Sequence, residues 1–507
     1  MQSLAFEPGR NCWRVAAADR LSVIVDGQDY FRILREVLLK AERMVILVGW
    51  DFDFEIEMLP GQSDDNGDAP DGFPNAIGPF LDALAARREG LDIYLLKWSG
   101  GALIAPGRIL PAFQIKLLSP KQLHLAFDGH HPIGACHHQK IVVVDDALAF
   151  CGGIDVTEGR WDNREHASFD PLRRLKNGEI AQPWHDTTTL MSGDAAAAFS
   201  ELCRNRWERA TGEPIGEEFA RAQDIWPSEI APDFENMEVA IARTAPPEAD
   251  RPAVTEIETL YLDSIRAARD CIYLESQYFA ADSITDAVRA RLREPDGPEI
   301  VVINPHAAQG KVEDEAMHVT RSRMIRDLAQ NDPYNRFLIL SPVNDAGEDI
   351  YVHSKTSIID DVFLRIGSSN IDRRSMGFDT ESDVALIAEK DTDRRRIIAI
   401  RNDLLAEHLG VEADQVAEAI DRTGSIIAAI DALNDSERRG LRPITPRKET
   451  LLGKFLSDTR LFDPRYRQSA QARIGITSRH VMYGSATVVA GVLLWRRNRR
   501  ARSRGKR

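Results

Sequence analysis

Apolar residues in this chain fall into short runs of Val, Ile and Leu that alternate with amphipathic stretches, and the alternation occurs twice. "LLKAERMVILVGWDFD" (38–53) gives a helix end and then a strand, and "SIRAARDCIYLESQYF" (264–279) gives the same order again. Helical patterns follow in both places, "FLDALAARREG" in the first and "SITDAVRARLRE" in the second. Next come two apolar runs with identical polar punctuation, "HHQKIVVVDD" (137–146) and "VHSKTSIIDD" (352–361). Each is succeeded by a second run ending in small residues and an Asp, "LAFCGGID" (148–155) and "FLRIGSSNID" (363–372). Matching landmarks in one order indicate duplication. The pattern predicts an α/β fold: two duplicated α/β units packed as a pseudo-dimer, each with a mixed central sheet flanked by helices.

The first unit is assigned to 1–212 and the second to 238–410. Between them "TGEPIGEEFARAQDIWPSEIAPDFEN" is rich in Pro and acid and reads as a connector, 213–237. "LPGQSDDNGDAPDGFPN" (59–75) is a loop-like insert in the first copy alone. Residues 411–480 read as a helical extension, and 481–507 as an apolar segment with a basic tail.

Composition narrows the function. The 507 residues leave room for two to four domains, and a net charge of −15 argues against a general nucleic-acid binder. Five cysteines, scattered and without a CxxC, read as reduced thiols. The first residues lack a basic region followed by an apolar run, so no secretory signal is read. "VMYGSATVVAGVLLW" (Val481 to Trp495) is uncharged, and the twelve residues after it hold eight basic ones and no acid. As a helix it reaches about 22 Å, short of the roughly 30 Å hydrocarbon core. Membrane contact, with arginines at anionic head groups, is the expectation for this segment.

The chemistry lies in the repeated triplet. On a strand, His138 and Lys140 share a face while Asp145 has the opposite parity, and the same holds for His353, Lys355 and Asp360. The two Asp therefore read as structural anchors. Gly152 and Gly153 in one copy permit close backbone approach; Ser368, Ser369 and Asn370 in the other offer donors to an oxyanion. If the copies pack face to face, two His, two Lys and an Asn line one pocket, an inventory suited to a phosphodiester. The ammonium groups take the place of a divalent ion, so cleavage is expected to need no metal and no cofactor. Adjacent His137 and His138 point oppositely on a strand, which disfavours zinc there. Asp51, Asp53 and Glu55 in "DFDFE" read as a solvated polar face.

These residues resemble the phospholipase D superfamily, whose signature is HxKxxxxD followed by a Gly/Ser/Asn segment, present twice. The resemblance runs from about residue 20 to about residue 410 and reaches the phospholipase D branch through "GGIDVTEGRWD" (152–162), "PWHD" (183–186), "IYLESQYF" (272–279) and "LLAEHLG" (404–410). Ser276 departs from the Asn usual in that branch, so the branch's head-group preference is not carried over to this chain. No PX, PH or C2 type module is read ahead of the first unit, as in compact bacterial forms. The resemblance implies a phosphohistidine mechanism, with His138 as nucleophile, His353 as general acid and then base, and Lys140, Lys355 and Asn370 on the phosphoryl oxygens. The signature counts Asp145 and Asp360 in the catalytic set, and Glu381 in "DTESDVAL" matches the acid that orients a catalytic His. It further implies a phospholipid substrate at a membrane surface and water or an alcohol as acceptor. Without a secretory signal and with the apolar and basic segment 481–507, a cytoplasmic body that is membrane-associated through that segment is expected. A phospholipid synthase of the cardiolipin type is the alternative, and a nuclease of the superfamily a more distant one.

Overall fold

Alternate residues of each central strand enter different cores. Ile46, Val48 and Val143 join one apolar cluster, whereas Val45, Leu47, Val142 and Val144 join another. A strand buried on both faces needs a helical layer on each side, and this sequence supplies both. The computed structural model describes residues 4–100, 119–216, 224–248, 251–460 and 463–465.

The first half contains β1 (Arg14–Val25), β2 (Met44–Gly49), β3 (Asp92–Trp98), β4 (Leu123–Asp128), β5 (Ile141–Val144), β6 (Leu148–Gly152), β7 (Trp184–His185) and β8 (Thr187–Ser192). Its helices are α1 (Asp26–Lys40), α2 (Ile77–Arg87) and α3 (Asp194–Thr211). The second half contains β9 (Phe234–Ala245), β10 (Val254–Thr255), β11 (Cys271–Glu275), β12 (Glu299–Ile303), β13 (Phe337–Val343), β14 (Tyr351–Val352), β15 (Thr356–Ile359), β16 (Phe363–Gly367), β17 (Glu381–Ile387) and β18 (Gly440–Pro443). Its helices are α4 (Glu256–Ala267), α5 (Asp282–Leu292), α6 (Lys311–Gln330), α7 (Asp391–Leu409), α8 (Ala413–Thr423), α9 (Ile426–Leu433) and α10 (Leu451–Thr459).

The halves do not stack face to face. They join edge to edge, through the antiparallel pairing of β1 with β9, into one mixed sheet of sixteen strands. Outward from that seam the order is β8-β6-β5-β2-β3-β4 on one side and β17-β16-β15-β11-β12-β13 on the other. Each strand in these two series thus has a counterpart in the other, and the triplet-bearing β5 and β15 are equivalent. Residues of α3, α7, α8 and α9 share the core of one face across both halves. The opposite face has two separate cores, under α1 and α2 in the first half and under α4 and α5 in the second.

Two local readings change. β9 begins at Phe234, inside the stretch read as connector, and β18 adds a strand beside β13 within the stretch read as helical. Among the described residues no helix is long and apolar enough to cross a membrane. The segment 481–495 lies outside the described residues.

Candidate active site

The triplet histidines and lysines stand just ahead of β5 and β15, at the junction between the two halves. The His138 amide donates to the Thr380 carbonyl of the other half at 2.9 Å, and the His353 amide to the His185 carbonyl at 2.8 Å. Strands β7 and β14 pair in parallel across the same junction. Each triplet is therefore held by main chain from the opposite half.

The side chains repeat that exchange. His138 Nδ1 lies 3.0 Å from Glu381 Oε2 and 3.0 Å from the Ser368 carbonyl, both in the second half. His353 Nδ1 lies 2.7 Å from Asp186 Oδ2 in the first half. A carboxylate on Nδ1 keeps the proton there and leaves the Nε2 lone pair available. Glu381 opens β17 and Asp186 immediately precedes β8, the strand equivalent to β17, so the two acids are counterparts. Glu381 was legible in the sequence. Asp186 was read only as part of "PWHD"; its signal is that it stands before β8 where Glu381 stands at the head of β17.

The lysines lie beside the imidazoles. Lys140 Nζ donates to the His138 carbonyl and pairs with Asp155, both at 3.0 Å. Lys355 donates to the His353 carbonyl. Burial pushes Lys355 down to about 7, against the attraction of Asp186. Burial, with Lys140 and Lys355 adding to it, holds His138 well below the usual imidazole range, and burial with Lys355 and Arg160 does the same for His353. Burial likewise raises Glu381 to about 8, although hydroxyls of Ser368 and Ser375 donate to it. Asp186 rises to about 6 for the same reason. A phosphodiester entering here would meet two cations whose charge no longer opposes imidazole protonation once the anion is bound.

Several sequence-predicted residues take other places. Asp145 accepts the amides of Glu42, Arg43 and Met44 at 2.7–2.9 Å, and Asp360 accepts those of Arg269, Asp270 and Cys271 at 2.7–2.9 Å. Both follow the far ends of β5 and β15 in a left-handed turn, φ 52°, and fasten the strand that leads into β2 or β11. They do not contact the imidazoles. Ser368 spends its hydroxyl on Glu381 and Ser369 on Asp383, so neither is aimed at an oxyanion. Asn370 is nearly uncommitted: its Oδ1 is buried without a partner, and its Nδ2 lies 3.4 Å from Gln277. Gly153 makes room for protein, since a Cβ there would stand 2.1 Å from Asp186 Oδ1 and 3.2 Å from the His353 carbonyl. Gly152 is pressed in the same way against Thr188. Ser276 is buried and its hydroxyl accepts the Ile371 amide at 3.0 Å, which fixes the loop after Asn370.

Asp51 and Asp53 are not a solvated face. Both are buried, Asp51 paired with Lys97 and Asp53 with Lys176 at 2.6 Å. They lie beyond the end of β2, so strand parity does not govern them. His137 faces Asp128 at 3.1 Å, and His131 accepts the Trp98 indole N–H at 2.8 Å.

A second buried group lies behind the site. His166 contacts Asp162 at 2.8 Å and Glu407 at 2.9 Å; His185 contacts Glu407 at 2.6 Å and Glu275 at 3.1 Å; His408 contacts Glu275 at 3.1 Å. The four segments that extended the resemblance beyond the triplets each supply a member of this network. Two subsets have the spacing to hold a metal ion, Asp26 with His166, His185 and Glu407, and His185 with Glu275 and His408. The sequence showed no ligand set because its members come from five separate segments. Burial opposes the charged imidazole, but Asp26, Asp162 and Glu407 raise His166 to about 9, so protons can balance the carboxylates.

The family profile described as "Phospholipase D" matches residues 129–290, and that described as "Cardiolipin synthase, PLD-like domain" matches 261–397. Phospholipase D alpha 1 of Zea mays is 23% identical over 77% of this chain and 65% of its own length. Phospholipase D alpha 1 of Arabidopsis thaliana is 25% identical over 54% of this chain and 49% of its own. The chain thus spans about half to two thirds of these relatives. The solved phosphatidylserine synthase of Haemophilus influenzae shares the fold, with a TM-score of 0.54, 10% identity, and coverage of 83% of this chain and 96% of that one. Two triplets at one seam, the profiles over both of them and the shared duplicated fold agree: this chain belongs to the phospholipase D superfamily.

Proposed function

We propose that the chain is a phosphodiesterase and phosphatidyltransferase acting on glycerophospholipids, releasing the head group and passing the phosphatidyl group to water or an alcohol. The observation that carries this reading is the reciprocal exchange, in which each imidazole receives its orienting carboxylate from the other half. Such a pair divides one displacement into two. His138 Nε2 attacks phosphorus and the head-group oxygen leaves with a proton from His353, giving a phosphatidyl-histidine. His353, now neutral, takes the proton of water or alcohol as that oxygen attacks phosphorus and expels His138. Lys140, Lys355 and Asn370 stabilise the charge on the non-bridging oxygens.

The two displacements each invert, so a chiral phosphorothioate substrate should be processed with net retention; net inversion would mean direct attack by water. The profile match over residues 261–397 favours a second version of the same chemistry, transfer to a lipid hydroxyl. Mass spectrometry of products from mixed phospholipids, with and without a primary alcohol, separates the two. Phosphatidic acid and phosphatidyl-alcohol would mark the first, and a lipid-lipid condensation product the second.

A further inference from the structure

Helix α10 carries more apolar surface than its contact with the protein covers. Its N-terminal Thr450 accepts the Gly453 amide at 2.9 Å and donates to Glu315 of α6 at 2.6 Å, and Ser457 meets Thr320 of α6 at 2.8 Å. Gly453 is pressed onto the same helix, since a Cβ there would stand 2.6 Å from the Glu315 carbonyl and 2.8 Å from Val319. Gly453, Ser457 and the buried Leu456 thus face the protein. The other three large apolar residues face out: Leu451 is 91% exposed, Leu452 53% and Phe455 59%. Of the seven large hydrophobic side chains exposed among the described residues, three lie on this single helix. A helix clamped in that orientation is preformed for an apolar partner.

The charges say which partner. Glu449 and Asp458 are each paired with Arg323, at 2.9 Å and 2.6 Å. Lys448 and Lys454 are exposed beside the apolar residues, with Lys454 between Leu452 and Phe455. A two-fold pairing of copies through this face would bring Lys448 and Lys454 of both copies, four cations, into one apolar interface, which disfavours a dimer. The sequence beyond the helix continues to the uncharged run 481–495 and its eight basic residues, so apolar and cationic character persist together. The helix is also tied to the candidate active site: Arg460 reaches Asp282 at 3.4 Å, and Asp282 pairs at 2.6 Å with Arg373, three residues after Asn370.

We infer that the outward face of α10, Leu451, Leu452 and Phe455 with Lys448 and Lys454, docks on an anionic lipid bilayer. It would insert its apolar side chains at the head-group boundary while the lysines meet lipid phosphates. The inference rests on the lipid reading of the active site for the nature of the partner, and its test does not depend on turnover.

The described cysteines are buried or half-buried, so an exposed thiol introduced as Leu452→Cys can carry an environment-sensitive nitrobenzoxadiazole label in the full chain. Vesicles of phosphatidylcholine and phosphatidylglycerol in equal parts should shift its emission to the blue, and brominated acyl chains should quench it. The triple variant Leu451→Ser, Leu452→Ser and Phe455→Ser should bind these vesicles about a hundredfold more weakly. It should turn over a short-chain, monomeric phosphodiester as the parent does. An unchanged label on vesicles that the chain still binds would overturn the inference, whether 481–495 already covers the face or the tail binds alone. Label burial that appears only with self-association would also overturn it. Label insertion without any lipid turnover would uphold the docking face and remove the functional reading.

Discussion

The two halves present the same strand order on either side of the seam, yet their histidines stand in different surroundings. His138 retains 16% exposure and touches both Glu381 and the Ser368 carbonyl; His353 retains 6% and touches Asp186. The first half offers only Gly152 and Gly153 after its triplet, spent on close packing, whereas the second offers Asn370. Lys355 is the lysine that burial brings down to about 7. Duplication therefore supplies the pair, and the difference in surroundings is what suits one imidazole to the proposed nucleophile role and the other to the proposed acid role. Neither half holds a complete site, because each lends its carboxylate to the other.

The largest effects should break the pair. His138→Ala and His353→Ala should each lower phospholipid turnover by at least about a thousandfold, while His124→Ala, in β4 against Asp92, should not. A p-nitrophenyl phosphodiester separates the roles, since its leaving group needs no proton. His353→Ala should then release a burst of one p-nitrophenolate per enzyme and stall; His138→Ala should release none. A burst from the second variant would exchange the assignments.

The orienting acids come next. Glu381→Gln and Asp186→Asn should each cost about a hundredfold in turnover with the fold retained. Only Asp186→Asn should be relieved in its first step by the p-nitrophenyl group. Equal relief in both would dissolve the distinction between the halves.

The pH dependence of kcat/KM sharpens the same contrast. Protonation of His138 removes the nucleophile, and its low range places the acid limb well below the usual imidazole value. The free enzyme loses the His353 proton below the usual imidazole range and the Lys355 proton at about 7. The rate should therefore fall as pH rises, with a last basic limb at about 7 where a phosphate ligand is lost. Lys355→Arg, charged throughout, should move that basic limb upward; a limb that stays in place would assign it elsewhere.

The smallest effects on chemistry belong to the anchors. Asp145→Asn and Asp360→Asn each weaken three amide contacts, so stability should fall by about 1–2 kcal/mol in denaturant titration. Turnover per folded molecule should change severalfold at most. A loss as deep as that of the histidines would return these residues to the catalytic set.

Much of this was legible in the sequence, for physical reasons. The triplets are local, so their spacing survives in the text, and the opposite parity of Asp145 and Asp360 already set them apart from the imidazoles. Short apolar runs alternating with helical patterns gave the α/β units and their flanking helices. Edge-to-edge joining was not legible, because β1 and β9 pair through backbone groups that carry no residue code. Nor were Asp186 and the His166–His185–Glu407 network, whose members lie far apart in the chain. Ser368 and Ser369 misled because hydroxyl chemistry suits an oxyanion and a buried carboxylate equally well. Only the packing of Glu381 and Asp383 decides between them.

The most direct test of the central claim is to map the covalent adduct. Enzyme mixed with phospholipid for one turnover and quenched in alkali, where phosphohistidine survives, can be digested and read by peptide mass spectrometry. The account predicts a phosphatidyl group on the peptide containing His138 and none on that containing His353. An adduct on His353, or no adduct on either together with inversion at phosphorus, would contradict it.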